Sequence, residues 1–177
     1  HLRPPVTGTA KKRHPLMEFK YFHQPPKKYT FEMPQVRKWV EYQCSGVVLN
    51  LFAGPTKLSV NEVRVDKDEK MPADYHMDCR GFVEYATQEK MKFDSVIIDP
   101  PYTWRKSKEM YNGNMIGQLP RLKDELISIL SKQAKILHFG YDTVGMGAKR
   151  GFEKIGIALI CHGGDSKDTM CLVERKT

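Results

Sequence analysis

Short apolar runs alternate with polar stretches along the chain from residue 47 onward. Residues 47–52 (VVLNLF) form an apolar run interrupted only by Asn50 and stopped by Ala53-Gly54-Pro55, the pattern of a buried strand ending in a tight turn. Residues 62–66 (EVRVD) alternate and end in an acid, residues 75–78 (YHMD) suggest a short third strand, and residues 95–99 (SVIID) form a clear strand halted by Pro100-Pro101. Over 118–132, Leu119, Leu122, Leu126, Ile129 and Leu130 share one helical face, with Pro120 tolerable in the first turn. Residues 136–139 predict a strand closed by Gly140. Further on, 152–162 and 168–175 flank Gly163-Gly164-Asp165-Ser166-Lys167 and read as an antiparallel hairpin. Upstream, 34–43 predict a helix opened by Pro34, with Val36, Trp39 and Val40 inward. Such alternation predicts an α/β fold: a mostly parallel sheet with helices on its faces and an antiparallel hairpin at the end. Sheets of this kind bind ligands at the carboxyl ends of their strands.

Length and composition narrow the class. At 177 residues the chain reads as one domain. A chain of this size buries about 70 % of its unfolded surface, enough for a core without disulfides or metal. Hydrophobic residues at 40 % and charged residues at 28 % argue against wholesale disorder and against a fibrous protein. No apolar run approaches the roughly 20 residues that span a bilayer, and nothing at the start reads as a secretory signal. Cys44, Cys79, Cys161 and Cys171 are scattered without a CxxC pair, which favours reduced thiols and a cytoplasmic setting. His138 and His162 lack partner ligands at suitable spacing, so no metal site is expected. Residues 144–147 (VGMG) lack a following Lys-Ser/Thr and are not a phosphate loop.

Charge is uneven. Residues 1–38 hold nine bases and two acids, a net of +7 out of the +8 for the whole chain. A basic arm on a near-neutral body suits a polyanion. Residues 1–16, punctuated by Pro and Gly and followed by Met17, read equally as an added leader or a disordered arm ahead of a single catalytic unit over 17–177.

Candidate chemistry collects at the strand ends. Gly54 follows the first strand, where a residue without a side chain lets backbone approach a ligand. Asp66 ends the second strand, and a carboxylate there can accept both hydroxyls of a ribose. Asp78 follows the third strand, and Asp99-Pro100-Pro101-Tyr102 follows the fourth. Two successive prolines fix φ near −65° and freeze the turn. The Pro100 carbonyl faces an imino acid without N–H, so it can accept a hydrogen bond from outside. The Asp99 carboxylate and that carbonyl form paired acceptors, with the flat face of Tyr102 beside them, which suits a planar ring bearing NH2. Directly after, residues 103–117 interleave Trp104, Arg105, Lys106, Lys108 and Tyr111 against only Glu109, a composition suited to phosphate contact and base stacking.

These residues resemble the class I S-adenosylmethionine-dependent amino-methyltransferases that carry an Asp-Pro-Pro-Tyr motif, over roughly residues 30–177. The resemblance implies a Rossmann-like fold with S-adenosylmethionine as cofactor. It also implies a cofactor surface made of Phe31, Asn50, Phe52, Ala53, Gly54, Pro55, Asp66, Asp78 and Cys79. Asp99, Pro100, Pro101 and Tyr102 would carry catalysis. The first-strand loop departs from the family pattern: Asn50 stands at the usual acid, and Pro55-Thr56-Lys57 replaces a second glycine. Only eleven residues separate Gly54 from Asp66, so the helix that normally follows this loop is expected to be one turn or missing. No stretch is long enough for a separate target-recognition domain, and a homodimer or recognition subunit would supply one. The implied activity is methyl transfer to the adenine 6-amino group in DNA. Transfer to the guanine 2-amino group or to adenine in RNA, and a non-catalytic nucleic-acid-binding partner of the same fold, are the alternatives.

Overall fold

The computed structural model describes residues 16–100 and 115–177, with backbone only for 115–117. Eight strands form one sheet: β1 (Glu18–His23), β2 (Val48–Leu51), β3 (Glu62–Asp66), β4 (Tyr75–His76), β5 (Phe93–Ile98), β6 (Leu130–Gly140), β7 (Phe152–Cys161) and β8 (Thr169–Lys176). Their order is β1-β7-β8-β6-β5-β2-β3-β4. β8 runs antiparallel to both neighbours, and every other pairing is parallel. The fold is thus the expected Rossmann-like one, a mostly parallel sheet closed by an antiparallel hairpin. Gly163 and Gly164, at φ of +72° and +55°, make the turn of that hairpin in a region that glycine enters without penalty.

Helices cover both faces of the central strands. On one face, α1 (Pro34–Gln43) buries Val36, Trp39 and Val40 against Val48, Ile97, Leu137 and Phe139. On the other, α2 (Cys79–Gln88) and α3 (Met115–Leu126) enclose Phe82, Phe93, Leu122, Leu126 and Ile136. Residues 34–43 and 62–66 form the predicted elements at the predicted bounds. As the spacing required, no helix lies between β2 and β3.

Two expectations are corrected. The helix predicted over 118–132 begins three residues earlier and ends at Leu126, so Pro120 stands inside it rather than in its first turn. A single 3-10 turn (Ile127–Ile129) then leads into β6 at Leu130. Leu130 pairs with Phe93 and Lys135 with Ser95, so residues 131–134 bulge from the ladder, with Gln133 at φ +57°. The polar Ser-Lys-Gln of that bulge hides the strand period and lets Ile129 and Leu130 mimic a continuing helical face. The second correction is β1, an edge strand unforeseen within the basic arm. Only Phe22 of its six side chains is buried, against Trp39, so no alternation marks it. The reading of residues 1–16 falls almost wholly outside the described residues. Among the described residues no helix is long and apolar enough to cross a membrane.

Ionisable side chains are buried beneath α3. Lys123 donates to the Gly145 carbonyl at 2.8 Å, and the fully buried Glu174 accepts from the Met146 and Gly147 amides at 2.6 and 3.0 Å. His138, on β6, lies within the field of Lys123. Burial, and after it the charge of Lys123, pulls its imidazole down to about 4, with Asp142 opposing. The folded state therefore keeps His138 neutral where an unfolded chain, at about 6.5, takes up a proton. Its contribution is complete above that value and lost as pH falls toward 4, by about 2–3 kcal/mol. Denaturant titrations at intervals across this window should show His138→Phe flattening the slope. An identical slope in the variant would place the acid sensitivity elsewhere.

Candidate active site

The parallel register builds the site. Leu51 of β2 aligns with Val65 of β3 and with Ile98 of β5. The next residues, Phe52, Asp66 and Asp99, therefore leave the sheet side by side. They line one cleft of about 600 Å³ together with Phe31, Ala53, Gly54, Pro55 and Pro100.

Its floor is backbone held by a carboxylate. Asp66 is 4 % exposed and accepts from the Gly54 amide through one oxygen and from the Asp68 amide through the other, both at 2.9 Å. Each oxygen keeps a second lone pair for a ligand hydroxyl. The loop follows a path that side chains rarely take: Phe52 lies at φ +60° and Gly54 at φ +61°. Left-handed geometry at a non-glycine residue costs of order 1–3 kcal/mol and concentrates at ligand-holding sites. The wall opposite comes from the 3-10 turn Thr30–Glu32. There the Tyr29 amide donates to Glu32 Oε2 at 3.1 Å, and Phe31 meets Phe139 edge-on at 5.8 Å.

Arg64, which sequence reasoning passed over, holds this loop from below. It is 3 % exposed, and its guanidinium spends all five N–H groups. Nε donates to the Pro72 carbonyl at 2.7 Å. Nη1 donates to Thr56 O and Glu62 Oε1 at 2.7 and 2.8 Å, and Nη2 to Gly54 O and Ala53 O at 2.7 and 3.3 Å. Glu62 also takes the Leu58 amide at 2.8 Å and Asn50 Nδ2 at 2.9 Å. Where the chain has no room for a helix after β2, a buried ion pair fixes the loop instead. The signal was present in EVRVD: a Glu and an Arg two apart on one side of a strand whose other side is Val-Val.

Three expected cofactor residues stand away from the cleft lining. Asn50 lies fully buried inside the sheet as the anchor of Glu62. Asp78 caps α2, accepting from the Arg80 and Gly81 amides at 3.0 and 3.4 Å, and borders a separate groove with Arg80 and Glu125. Cys79 is buried with its thiol against the Phe52 backbone, and burial pushes that thiol well above its ordinary range. Pro101, Tyr102, Trp104, Arg105, Lys106, Lys108 and Tyr111 lie outside the described residues.

No family model matches the sequence, and no curated protein matches it. Solved structures do share the fold. SMU.776 in complex with SAH superposes with a TM-score of 0.57 at 18 % identity, over 80 % of this chain and 48 % of that one. TrmN from Thermus thermophilus gives 0.54 at 12 % identity, over 82 % and 49 %. The N-methyltransferase NodS from Bradyrhizobium japonicum WM9, in complex with S-adenosyl-L-homocysteine, gives 0.51 at 11 % identity, over 81 % and 88 %. The chain spans about half the length of the first two.

Proposed function

We propose that this chain transfers a methyl group from S-adenosylmethionine to the 6-amino group of adenine in DNA. One observation carries the reading: the Gly54–Asp66 cradle and the Asp99–Pro100 turn open into a single cleft at the carboxyl edge of the sheet. The presence of SAH in SMU.776 and NodS, which have this fold, supports the choice of donor.

The residues present fit that donor. The cleft lies within the ~300–1,000 Å³ usual for ligand pockets. Asp66 and Asp68 line it, and their negative field suits a ligand of net positive charge. Asp66 presents lone pairs for a ribose, while Phe31 and Phe52 supply apolar wall. When bound, the donor supplies a methyl group activated by a sulfonium.

The remaining work falls to the Asp99 turn. The adenine amino nitrogen is a poor nucleophile because its lone pair is delocalised into the ring. Accepting its two N–H groups at the Asp99 carboxylate and the Pro100 carbonyl favours a pyramidal nitrogen. Positive charge grows on that nitrogen as the new C–N bond forms. Fixed acceptors there bind the transition state more strongly than the ground state. The proton leaves afterwards, so no strong base is required. Tyr102 stacks on the base, which must first leave a duplex at a cost of a few kcal/mol.

Calorimetric titration with S-adenosylmethionine, then a tritiated-methyl assay on duplex DNA, single strands and RNA with nucleoside mass spectrometry, tests the reading. N6-methyladenine from DNA is the expected product. Label in RNA would move the substrate to the alternative class. Donor binding without transfer to any of the three would leave a binding protein, and no donor binding would overturn the proposal.

A further inference from the structure

The mouth of the cleft differs from its floor. Buried Asp66 and half-buried Asp99 line the floor, whereas the exposed edge carries Asp68 together with Lys27 and Lys28 on the segment after β1 and Lys167 on the β7–β8 turn. None of these three lysines forms an ion pair among the described residues. Two are held over aromatic faces: Lys28 Nζ lies 5.2 Å from the Tyr29 ring centre, and Lys167 Nζ 5.8 Å from that of Tyr141. A cation over a ring face keeps N–H groups for another acceptor while its wandering is restrained.

The two sides of the rim are tied to each other. The Gln24 amide donates to the Cys161 carbonyl at 2.9 Å. His162 then bridges the sides, with Nδ1 2.9 Å from the Gln24 carbonyl and Nε2 2.9 Å from Thr169 Oγ1. Because a carbonyl only accepts, Nδ1 carries the proton in its contact with Gln24. Neither Asp165 nor Asp168 lines the cleft, and Asp168 accepts from the His162 amide at 3.3 Å.

We propose that residues 24–29 and the β7–β8 turn form a phosphate-binding rim, on which Lys28 and Lys167 grip the backbone of a nucleic acid strand either side of the nucleotide entering the cleft. This rests on the reading of the cleft as a nucleobase site and adds a strand path to it. An acidic floor repels phosphate and accepts cationic or NH-bearing groups, while a basic rim does the reverse. The same field thus sorts the two halves of a nucleotide, base inward and phosphate outward. Lysine suits the outer task as a point charge on a flexible stem.

Fluorescence anisotropy with a labelled single-stranded, adenine-containing oligonucleotide over a salt series tests the rim. Each of Lys28→Ala and Lys167→Ala should reduce the slope of log K against log salt by about 0.7, and the double variant by about twice that. Lys28→Arg and Lys167→Arg should keep the slope, and Lys132→Ala, on an exposed residue where β6 begins, should leave it unchanged. S-adenosylmethionine affinity, read by calorimetry, should be the same in all of them. An unchanged slope in the double variant, with the oligonucleotide still bound, overturns the rim while leaving the methyl-transfer reading intact. Failure of the parent protein to bind any oligonucleotide, duplex or single-stranded, would overturn both.

Discussion

Asp99→Ala should lose at least about 10²-fold in methyl transfer while S-adenosylmethionine still binds. The residue leaves β5 in line with Phe52 and Asp66, so it meets the proposed donor site at the sheet edge without being part of the 52–55 loop. Alanine removes the charged acceptor, leaving the Pro100 carbonyl as the sole remaining partner for the amino group at this turn. Positive charge developing on the nitrogen then loses its nearest compensation. Asp99→Asn should fall between the two, because an amide oxygen accepts but carries no net charge, and its NH2 opposes the substrate's own donors. Single-turnover transfer together with calorimetry separates chemistry from donor binding. Wild-type rates in the alanine variant would remove Asp99 from catalysis. Equal losses in donor binding and in turnover would make it a cofactor residue.

Arg64→Met should act through the loop rather than the chemistry. It breaks five hydrogen bonds and leaves Glu62, whose side chain is 1 % exposed, without its cation. Stranding one member of a buried pair costs about 3–5 kcal/mol. At roughly 2–4 °C per kcal/mol for a chain of this size, the melting temperature should drop by about 6–20 °C. Donor affinity should weaken at least about tenfold, because the carbonyls of Ala53, Gly54 and Thr56 lose the group that sets their direction. The double variant Glu62→Gln/Arg64→Met separates the two effects. Removing the stranded charge should recover part of the melting temperature, while donor affinity stays low. Recovery of both would reduce Arg64 to a stability element. Arg64→Lys should rescue little, since three N–H groups on one nitrogen cannot serve carbonyls on three sides.

These two residues mark how far the sequence could be read. Asp99 was legible because a strong apolar strand runs straight into two prolines, and local chemistry fixes what such a turn can present. Asp66 and Gly54 were legible for the same reason, each closing a strand whose direction the α/β alternation implied. Arg64 was only half legible: EVRVD sets a Glu and an Arg on one side of the strand, but nothing local says that this side points under a neighbouring loop. That depends on β3 lying beside β2 and on the helix between them being absent. The burial of Asn50 was likewise not legible: it is one residue short of the strand's end, and the sheet encloses it. β1 carries the same lesson at the level of a whole element. With five of six side chains exposed, its identity comes from backbone pairing to β7, which side-chain pattern does not encode.

That pairing has a consequence for biogenesis. Glu18–His23 has its sheet partner in Gly156–Cys161, made only after β2 to β6 have emerged. Until then residues 24–29 have neither the Cys161 carbonyl nor His162 to hold them. The mouth of the cleft is therefore among the last parts of this sheet to take shape on the ribosome, and a nascent chain stalled before β7 would hold a nearly finished floor beneath an entrance not yet assembled.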